Sequence, residues 1–518
     1  SYNEKKLMKT ISRFFFIYIT LKFFFKYRKD YLFDDLNFKK LDFTNYKQIK
    51  LFIFKKDFFR LKNKYVHNFD FLNFSKNLGG KIGINLSKKT IFDWHKIYKN
   101  KIYFPWNEDL ASKRFINIIY NYEFINSSST NEETRYLNKI IFFHMQRLTY
   151  EFNTKKISEI SSYDLLAYIL SCFIQKNFNK INSEYFEKII INQVDKLGMH
   201  KSYNVLEHSK FINNLNEIKN IYLFFGKEIS SNINEVLIKM TSLLNEYFHV
   251  DGSIPLFNGS NNNYTKKIYN SLNKEEYLIS RNFLNTKNGI AFYSDKNKKV
   301  FFDIVQPNKD KISNNLSAGT LSFEFSAMGE KLITNCGASE SSGKNPEYLR
   351  YSAAHSTIIL QNTNISEIKE NNPHIKFPQS VQFNLSNHED FTLFEASHNG
   401  YVKKFNKIIK RKIIIKKSGE KIKGEDSIIS FKNIENRIIY HIRFHLVDGF
   451  TFNFTNNKKN LILKSKLNNM WLFKSDTELI VEDSIMVDNN ITKPTKQIVI
   501  KGVVNNNKQI KKWSLEKI

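Results

Sequence analysis

Tyr348 and Arg350 stand seven and five residues before His355, and the three side chains bring a phenol, a guanidinium and an imidazole to one short stretch. An imidazole accepts or donates a proton near neutral pH. A guanidinium pairs in one plane with a carboxylate through two N–H groups. A phenol titrates near 10 and serves as a base only where nearby cations lower that value. Together they suit proton transfer beside a bound acid, and the competing account is a packed loop with a surface ion pair. His355 sits just before a strand-like run, where an imidazole also serves to pin the strand. Three further groups carry similar side chains: His200 ahead of Lys201 at a helix end, His249 with Asp251 in one loop, and His398 with Tyr401 around Gly400. For the last two groups the plainer role is fixing their own loops. Trp94 and Trp106 could stack on the flat face of a ligand, but two indoles in a helical region are core residues more often.

These residues need two kinds of scaffold. Up to about residue 265 the apolar positions recur at helical spacing. Leu137, Ile140, Ile141, His144, Met145 and Leu148 make one such stripe within Glu133–Glu151. Tyr163–Ile174, Ser183–Leu197, Asn204–Phe225 and Asn234–Tyr247 read the same way, as helices in series joined by short polar loops. After about residue 275 the period shortens to two. Strands are expected at Lys299–Val305, Thr320–Ser326, Ser356–Gln361, Val381–Leu385, Phe391–Ala396, Ile408–Lys416, Arg437–Leu446, Glu478–Glu482 and Lys496–Val503, with a hairpin turning at Ser418-Gly419. Helices first and strands afterwards imply two separate domains, the second a large antiparallel sandwich. The expected boundaries are a basic helical extension over 1–95, a helical domain over 96–270 and the sandwich over 275–518.

Composition narrows the partners. The 518 residues are 41% hydrophobic with only 17 Gly and 7 Pro, which excludes a disordered or low-complexity chain. The formal net charge is +30. That field attracts polyanions: nucleic acid, anionic membrane or acidic polysaccharide. The basic residues spread along the whole chain and form no nucleic-acid motif, so no nucleic-acid partner is expected. The heavy use of Lys, Asn, Ile and Phe also fits an AT-rich coding bias. Cys172 and Cys336, the only cysteines, imply neither a disulfide framework nor a cysteine-based zinc site. Residues 14–29 read as an amphipathic basic helix, packed on the protein or lying on a membrane surface. They are too short to span a bilayer and show no secretion cleavage site.

Four stretches resemble one known family. Ser317-Ala318-Gly319-Thr320-Leu321-Ser322-Phe323-Glu324-Phe325-Ser326, then Leu332-Ile333-Thr334-Asn335-Cys336-Gly337, then Tyr348-Leu349-Arg350-Tyr351-Ser352-Ala353-Ala354-His355-Ser356-Thr357 are similar to the first strands of the heparinase II/III-like polysaccharide lyases. His398-Asn399-Gly400-Tyr401 and Gly424-Glu425-Asp426 resemble the family's HDGY and GxD segments. His249-Val250-Asp251-Gly252-Ser253 through Asn258-Gly259 resembles the DGS segment of its helical toroid, and Gly198-Met199-His200-Lys201-Ser202 a helix segment with an Asn-His or Gly-His pair.

The resemblance implies an incomplete (α/α) toroid followed by a β-sandwich, and β-elimination on a uronic-acid polysaccharide such as a glycosaminoglycan or alginate. It implies a bacterial periplasm or cell envelope, although the absence of a visible signal peptide leaves the cytoplasm open. It implies His200, Tyr348 and His355 as catalytic residues, with Arg350, His249, Asp251, Asn258, His398 and Tyr401 binding substrate. The chain departs from the pattern in four places. Ser317 and Asn335 stand where the family has zinc-binding residues, so no zinc or other cofactor is expected. Met199 replaces an Asn, and Phe257 stands where a catalytic Tyr is expected. These departures support the alternative of a catalytically degenerate acidic-glycan-binding protein on the same scaffold.

Overall fold

The computed structural model describes residues 64–107, 109–262, 289–307, 316–339, 346–368, 376–432, 437–455, 457–488, 491–505 and 507–518. The basic helix read at residues 14–29 lies outside them. The chain divides into two compact units, one reaching to residue 192 with residues 211–237, the other made of residues 193–210 and 238–518. A helical region is followed by an antiparallel β-sandwich of two sheets.

The longer helices are α1 (Phe71–Leu78), α2 (Gly80–Tyr98), α3 (Leu110–Tyr120), α4 (Asn131–Thr154), α5 (Ser162–Ile174), α6 (Ser183–Gln193), α7 (Val205–Phe224) and α8 (Ser231–Glu246). Two of them start on reciprocal caps: Thr130 with Glu133 opens α4, and Ser161 with Asp164 opens α5. The stripe from Leu137 to Leu148 is buried along α4, as its period required. Helix α6 ends at Gln193, four residues before the sequence pattern does. There Asp195 Oδ1 accepts the Leu197 and Met199 amides, a turn that competes with further helix. Trp94 and Trp106 are core residues. Arg114 lies 3.8 Å and 4.5 Å from their ring centres, fully buried, and donates to His144 Nε2 at 3.0 Å. No described helix is long and apolar enough to cross a membrane.

The first sheet runs β1 (Ile290–Ser294), β2 (Lys298–Asp303), β3 (Phe323–Ala327), β4 (Glu330–Thr334), β10 (Ile438–Leu446), β15 (Ile491–Val504), β14 (Ile480–Asp488), with β5 (Ile358–Leu360) also on β10. The second runs β11 (Thr451–Thr455), β12 (Asn460–Lys464), β13 (Met470–Ser475), β16 (Lys508–Lys517), β9 (Lys421–Ser430), β8 (Lys407–Lys416), β7 (Phe391–His398), β6 (Val381–Asn387). Strand β8 alternates buried and partly exposed residues along its whole length, the signature of a sheet with one face on a core. Its turn to β9 passes through Gly419 at φ 67°. Between the sheets Phe323, Phe473 and Trp513 stack with centroids 5.3 Å and 6.0 Å apart.

One buried ion pair ties this core to the candidate site. Arg411 on β8 grips Asp426 on β9 through Nε at 2.6 Å and Nη2 at 3.0 Å. Trp513 Nε1 adds a bond to the same carboxylate at 2.9 Å. Arg411 Nη1 then donates to the carbonyls of Leu321 (2.9 Å) and Ser356 (2.7 Å), so it fixes the backbone beside His355. Gly424 has a steric reason: a Cβ there would meet Trp513 Cε2 at 2.0 Å.

Candidate functional site

Apart from His398 and Tyr401, the candidate residues of the strand-bearing unit fall on three segments: the turn 199–204 that opens α7, the loop 247–262 after α8, and the segment 346–357 before β5. Hydrogen bonds join them in series. Asn204 caps α7 by accepting the Glu207 amide, and its Nδ2 donates to the Asn258 carbonyl at 3.1 Å. Ser260 Oγ donates to Asn204 Oδ1 and accepts the Val205 amide. Asn258, at φ 52°, donates through Nδ2 to the Tyr203 carbonyl and accepts the Ser317 amide at 3.1 Å. The next residue, Ala318, donates to the Arg350 carbonyl. Gly319 lies against the His355 ring, where a Cβ would fall 2.6 Å from Cδ2. This chain of contacts brings His200, Asn258, Arg350 and His355 into one connected neighbourhood.

His355 is 3% exposed, and its Nδ1 lies 2.8 Å from the Tyr351 carbonyl. A carbonyl only accepts, so Nδ1 carries the proton and Nε2 presents a lone pair. Nε2 has no hydrogen-bond partner among the described residues. Burial pushes the imidazole down to about 4, so the ring is neutral. Arg350 donates through Nη2 to the Leu316 carbonyl at 3.1 Å, and burial lowers it from its usual value. Tyr348 is 51% exposed at the start of the same segment.

His200 is buried and neutral, pushed down to about 4 by desolvation. Its Nδ1 meets Ser202 Oγ at 2.8 Å and accepts the Ser202 amide. Its own amide donates to His208 Nδ1 at 3.1 Å, while His208 Nε2 donates to the Met240 carbonyl. Met199 and Phe257 are both buried, with an apolar side chain at each place.

Sequence reasoning gave His249 a binding role; the structure puts it inside a buried ionic network. Its Nε2 meets Glu324 Oε2 at 2.9 Å and its Nδ1 meets Ser326 Oγ at 2.8 Å. Lys331 Nζ bonds the same Glu324 oxygen at 3.0 Å and the Ile254 carbonyl at 2.9 Å. The other oxygen, Oε1, accepts the Leu256 amide, the Asn335 amide and Asn335 Nδ2. Burial opposes ionisation of Glu324, but the Lys331 charge and these hydrogen bonds outweigh it and hold the carboxyl at about 2. Burial and then Lys331 push His249 down to about 4. Asp251 accepts from the Ser253 amide and hydroxyl, a turn of its own loop.

His398 and Tyr401 are each 1% exposed. His398 Nδ1 accepts the Gly400 amide and the Tyr401 hydroxyl donates to the Thr363 carbonyl at 2.7 Å, which fixes that corner of the sandwich. Tyr247, the phenol nearest in sequence to Phe257 on its N-terminal side, is buried and donates to the Ile290 carbonyl.

The zinc that the family resemblance brings to mind does not fit these side chains. Asn335 spends its Nδ2 on Glu324 and its Oδ1 on the Ser356 amide. Ser317 supplies a neutral hydroxyl, and His355 alone offers a ring nitrogen. Among the described residues no three His, Cys, Asp or Glu side chains gather as a metal site needs.

Tyr203 and Asn204 escaped the sequence reading. Tyr203 has φ 48°, a conformation a bulky residue adopts only under strong local constraint, and it lies between His200 and the Asn204 cap. Its neighbour Gly289 approaches the Tyr203 ring so closely that a Cβ would sit 3.2 Å from Cε1. The available signal was the Ser-Tyr-Asn start of a helix, in which Asn is the cap.

Comparison with known proteins agrees with this architecture. Residues 283–514 match the family described as heparinase II/III-like, C-terminal. No curated protein sequence matches the chain. Among solved structures, a heparinase III is similar over 97% of this chain and 89% of its own, with 11% identity and a TM-score of 0.69. A second heparinase III covers 95% and 87%, with 11% identity and a TM-score of 0.64. A heparan sulfate lyase from Pedobacter heparinus covers 87% and 76%, with 13% identity and a TM-score of 0.59. At these identities the likeness is one of fold, a helical toroid followed by a sandwich.

Proposed function

We propose, taking the strand-rich half as a heparinase II/III-like C-terminal domain, that the chain cleaves a uronic-acid-containing polysaccharide by β-elimination. The observation that carries this reading is His355: a neutral imidazole whose proton is fixed on Nδ1, whose Nε2 lone pair has no partner among the described residues, and which shares a segment with Arg350 and Tyr348. In this reading the Arg350 guanidinium pairs with the sugar carboxylate and makes the C5 proton acidic. His355 Nε2 takes that proton. A bound carboxylate beside the ring raises its proton affinity from the value near 4 that burial imposes. A tyrosine hydroxyl, from Tyr348 or from Tyr203, returns a proton to the leaving glycosidic oxygen as the C4–O bond breaks. His200 holds the turn that carries Tyr203 and is too deeply engaged to carry charge. Asn258, His249 and Asp251 shape the loop that faces these groups.

The experiment offers heparan sulfate, heparin, hyaluronan and alginate in turn and follows the ultraviolet band of the unsaturated uronate. Heparan sulfate goes first, because that substrate stands in the name of a protein of the same fold. His355→Ala is expected to lower turnover at least about 100-fold, the usual value of a positioned base. Cleavage that persists in both His355→Ala and Tyr348→Phe would reject the assignment.

A second reading has its own support. Phe257 is a fully buried phenyl where the family pattern leads one to expect a catalytic phenol, and Met199 has no amide. A chain that cleaves none of the four polymers but is retained on them would be an acidic-glycan-binding protein.

A further inference from the structure

The outward face of the second sheet carries lysines that the rest of the sandwich does not need. Residues that pair across neighbouring strands share a face, so the register identifies them. Glu395 opposes Lys412, Lys412 opposes Glu425, and Glu425 opposes Lys512. The acids of this face are already taken. Glu395 binds Lys410 and Lys412, at 2.8 Å and 3.3 Å, and Glu516 binds Lys421 and Lys474. Glu425 lies 3.9 Å from Lys412. Lys416, Lys423, Lys464, Lys508 and Lys512 then remain without an acidic partner among the described residues.

Three of them form a line. Lys423 on β9 lies diagonal to Lys416 on β8, because it opposes Ile414 two residues away. Lys512 on β16 lies diagonal to Lys423, because it opposes Glu425. Each diagonal step in an antiparallel sheet is about 7–8 Å, so the ammonium groups track across three consecutive strands over about 15 Å. The first sheet provides the internal comparison. Every basic residue of its strands β10 and β15 other than histidine has a carboxylate: Arg443 and Lys501 on Glu482, Lys493 on Asp488, Lys496 on Asp483. A coding bias toward lysine acts on both sheets alike and leaves no reason for the surplus on one.

We infer that this lysine diagonal is a docking track for a linear polyanion, the acidic polysaccharide of the proposed function, and that it holds the polymer outside the His355 site. The inference rests on that reading for the identity of the polymer. A line of solvated cations on a flat face gives no pocket for a small anion. It gives contacts that add along a chain and release counterions.

The test uses the full chain. Lys416→Gln/Lys423→Gln/Lys512→Gln is compared with Lys493→Gln/Lys496→Gln/Lys501→Gln, which changes net charge equally on the other sheet. Binding of polymeric heparan sulfate is titrated against NaCl, and cleavage of a short heparan sulfate oligosaccharide is followed in parallel. The first variant is expected to bind the polymer about tenfold more weakly near physiological salt, with a salt slope lower by between two and three, roughly 0.9 for each lost contact. The second variant keeps the wild-type slope, and neither changes oligosaccharide cleavage. Equal losses in both variants, an unchanged slope, or a loss confined to duplex DNA or phosphatidylserine vesicles would overturn the track. Failure to cleave any oligosaccharide would instead sink the catalytic reading and leave the binding comparison standing.

Discussion

Lys331→Met removes the only ammonium that the structure brings to the buried Glu324 carboxylate among the described residues. Lys331 is 3% exposed and supplies two bonds, to Glu324 Oε2 at 3.0 Å and to the Ile254 carbonyl at 2.9 Å. Methionine fills most of the volume and makes neither. Breaking one partner of a buried pair costs about 3–5 kcal/mol, because the remaining charge is stranded. Glu324 keeps its Oε1 bonds from Leu256 and Asn335, which places the loss at Oε2. His249 is the remaining donor there, and burial together with the Lys331 charge keeps it neutral. Without Lys331 its proton affinity rises, so a protonated His249 replaces the lost cation as the solution is acidified. The expected result is a loss of about 3–5 kcal/mol in urea unfolding at pH 8 that shrinks at pH 6. Hydrogen exchange of the Leu256 and Asn335 amides, both bound to Glu324, should quicken in step. Adding Glu324→Gln to Lys331→Met should cost less than the sum of the single variants. An unchanged midpoint at pH 8, or a penalty that grows on acidification, would refute the account.

Acid should weaken the wild-type protein in two windows. His249 and His355 are held at about 4 in the folded chain against 6.5 when unfolded, so the unfolded state takes up protons first and stability falls as pH drops from about 6.5 to 4. Glu324 is held at about 2 against 4.5, so its contribution is present above 4.5 and fades as pH falls toward 2. Each group accounts for up to about 3 kcal/mol, and a urea midpoint that stays flat from pH 6.5 to 4 would count against buried neutral imidazoles. Gly319→Ala should displace the His355 ring, whose Cδ2 would lie 2.6 Å from the new methyl, and cut turnover far more than it lowers the melting temperature. Arg411→Met should cost about 3–5 kcal/mol by stranding Asp426 and freeing the Ser356 carbonyl, while the double variant with Asp426→Asn recovers part of the loss. Asn258→Ala should loosen the link between the Tyr203 carbonyl and the Ser317 amide, raising exchange at Ser317 without unfolding the sandwich.

Sequence alone determined the order of the architecture and the address of the candidate segment. Periods of 3.6 and 2 depend only on local geometry, so the stripe of α4 and the alternation of β8 were legible without coordinates. Strands β1, β11, β12, β13 and β16 were not read, since their patterns are short or broken by lysine and asparagine and gain their meaning from neighbours in the sheet. The Gly424-Glu425-Asp426 motif was visible, but its reason was not: the glycine admits Trp513 and the aspartate holds both Trp513 and Arg411, which lie 87 and 15 residues from it. Tertiary structure likewise decided that His249 is a member of a buried ionic network, that His398 and Tyr401 fix a corner, and that His355 keeps its Nε2 without a hydrogen-bond partner among the described residues, beside Arg350. Those distinctions depend on burial and on which nitrogen already has a partner. Both are properties of contacts between distant residues, and no spacing along the chain encodes them.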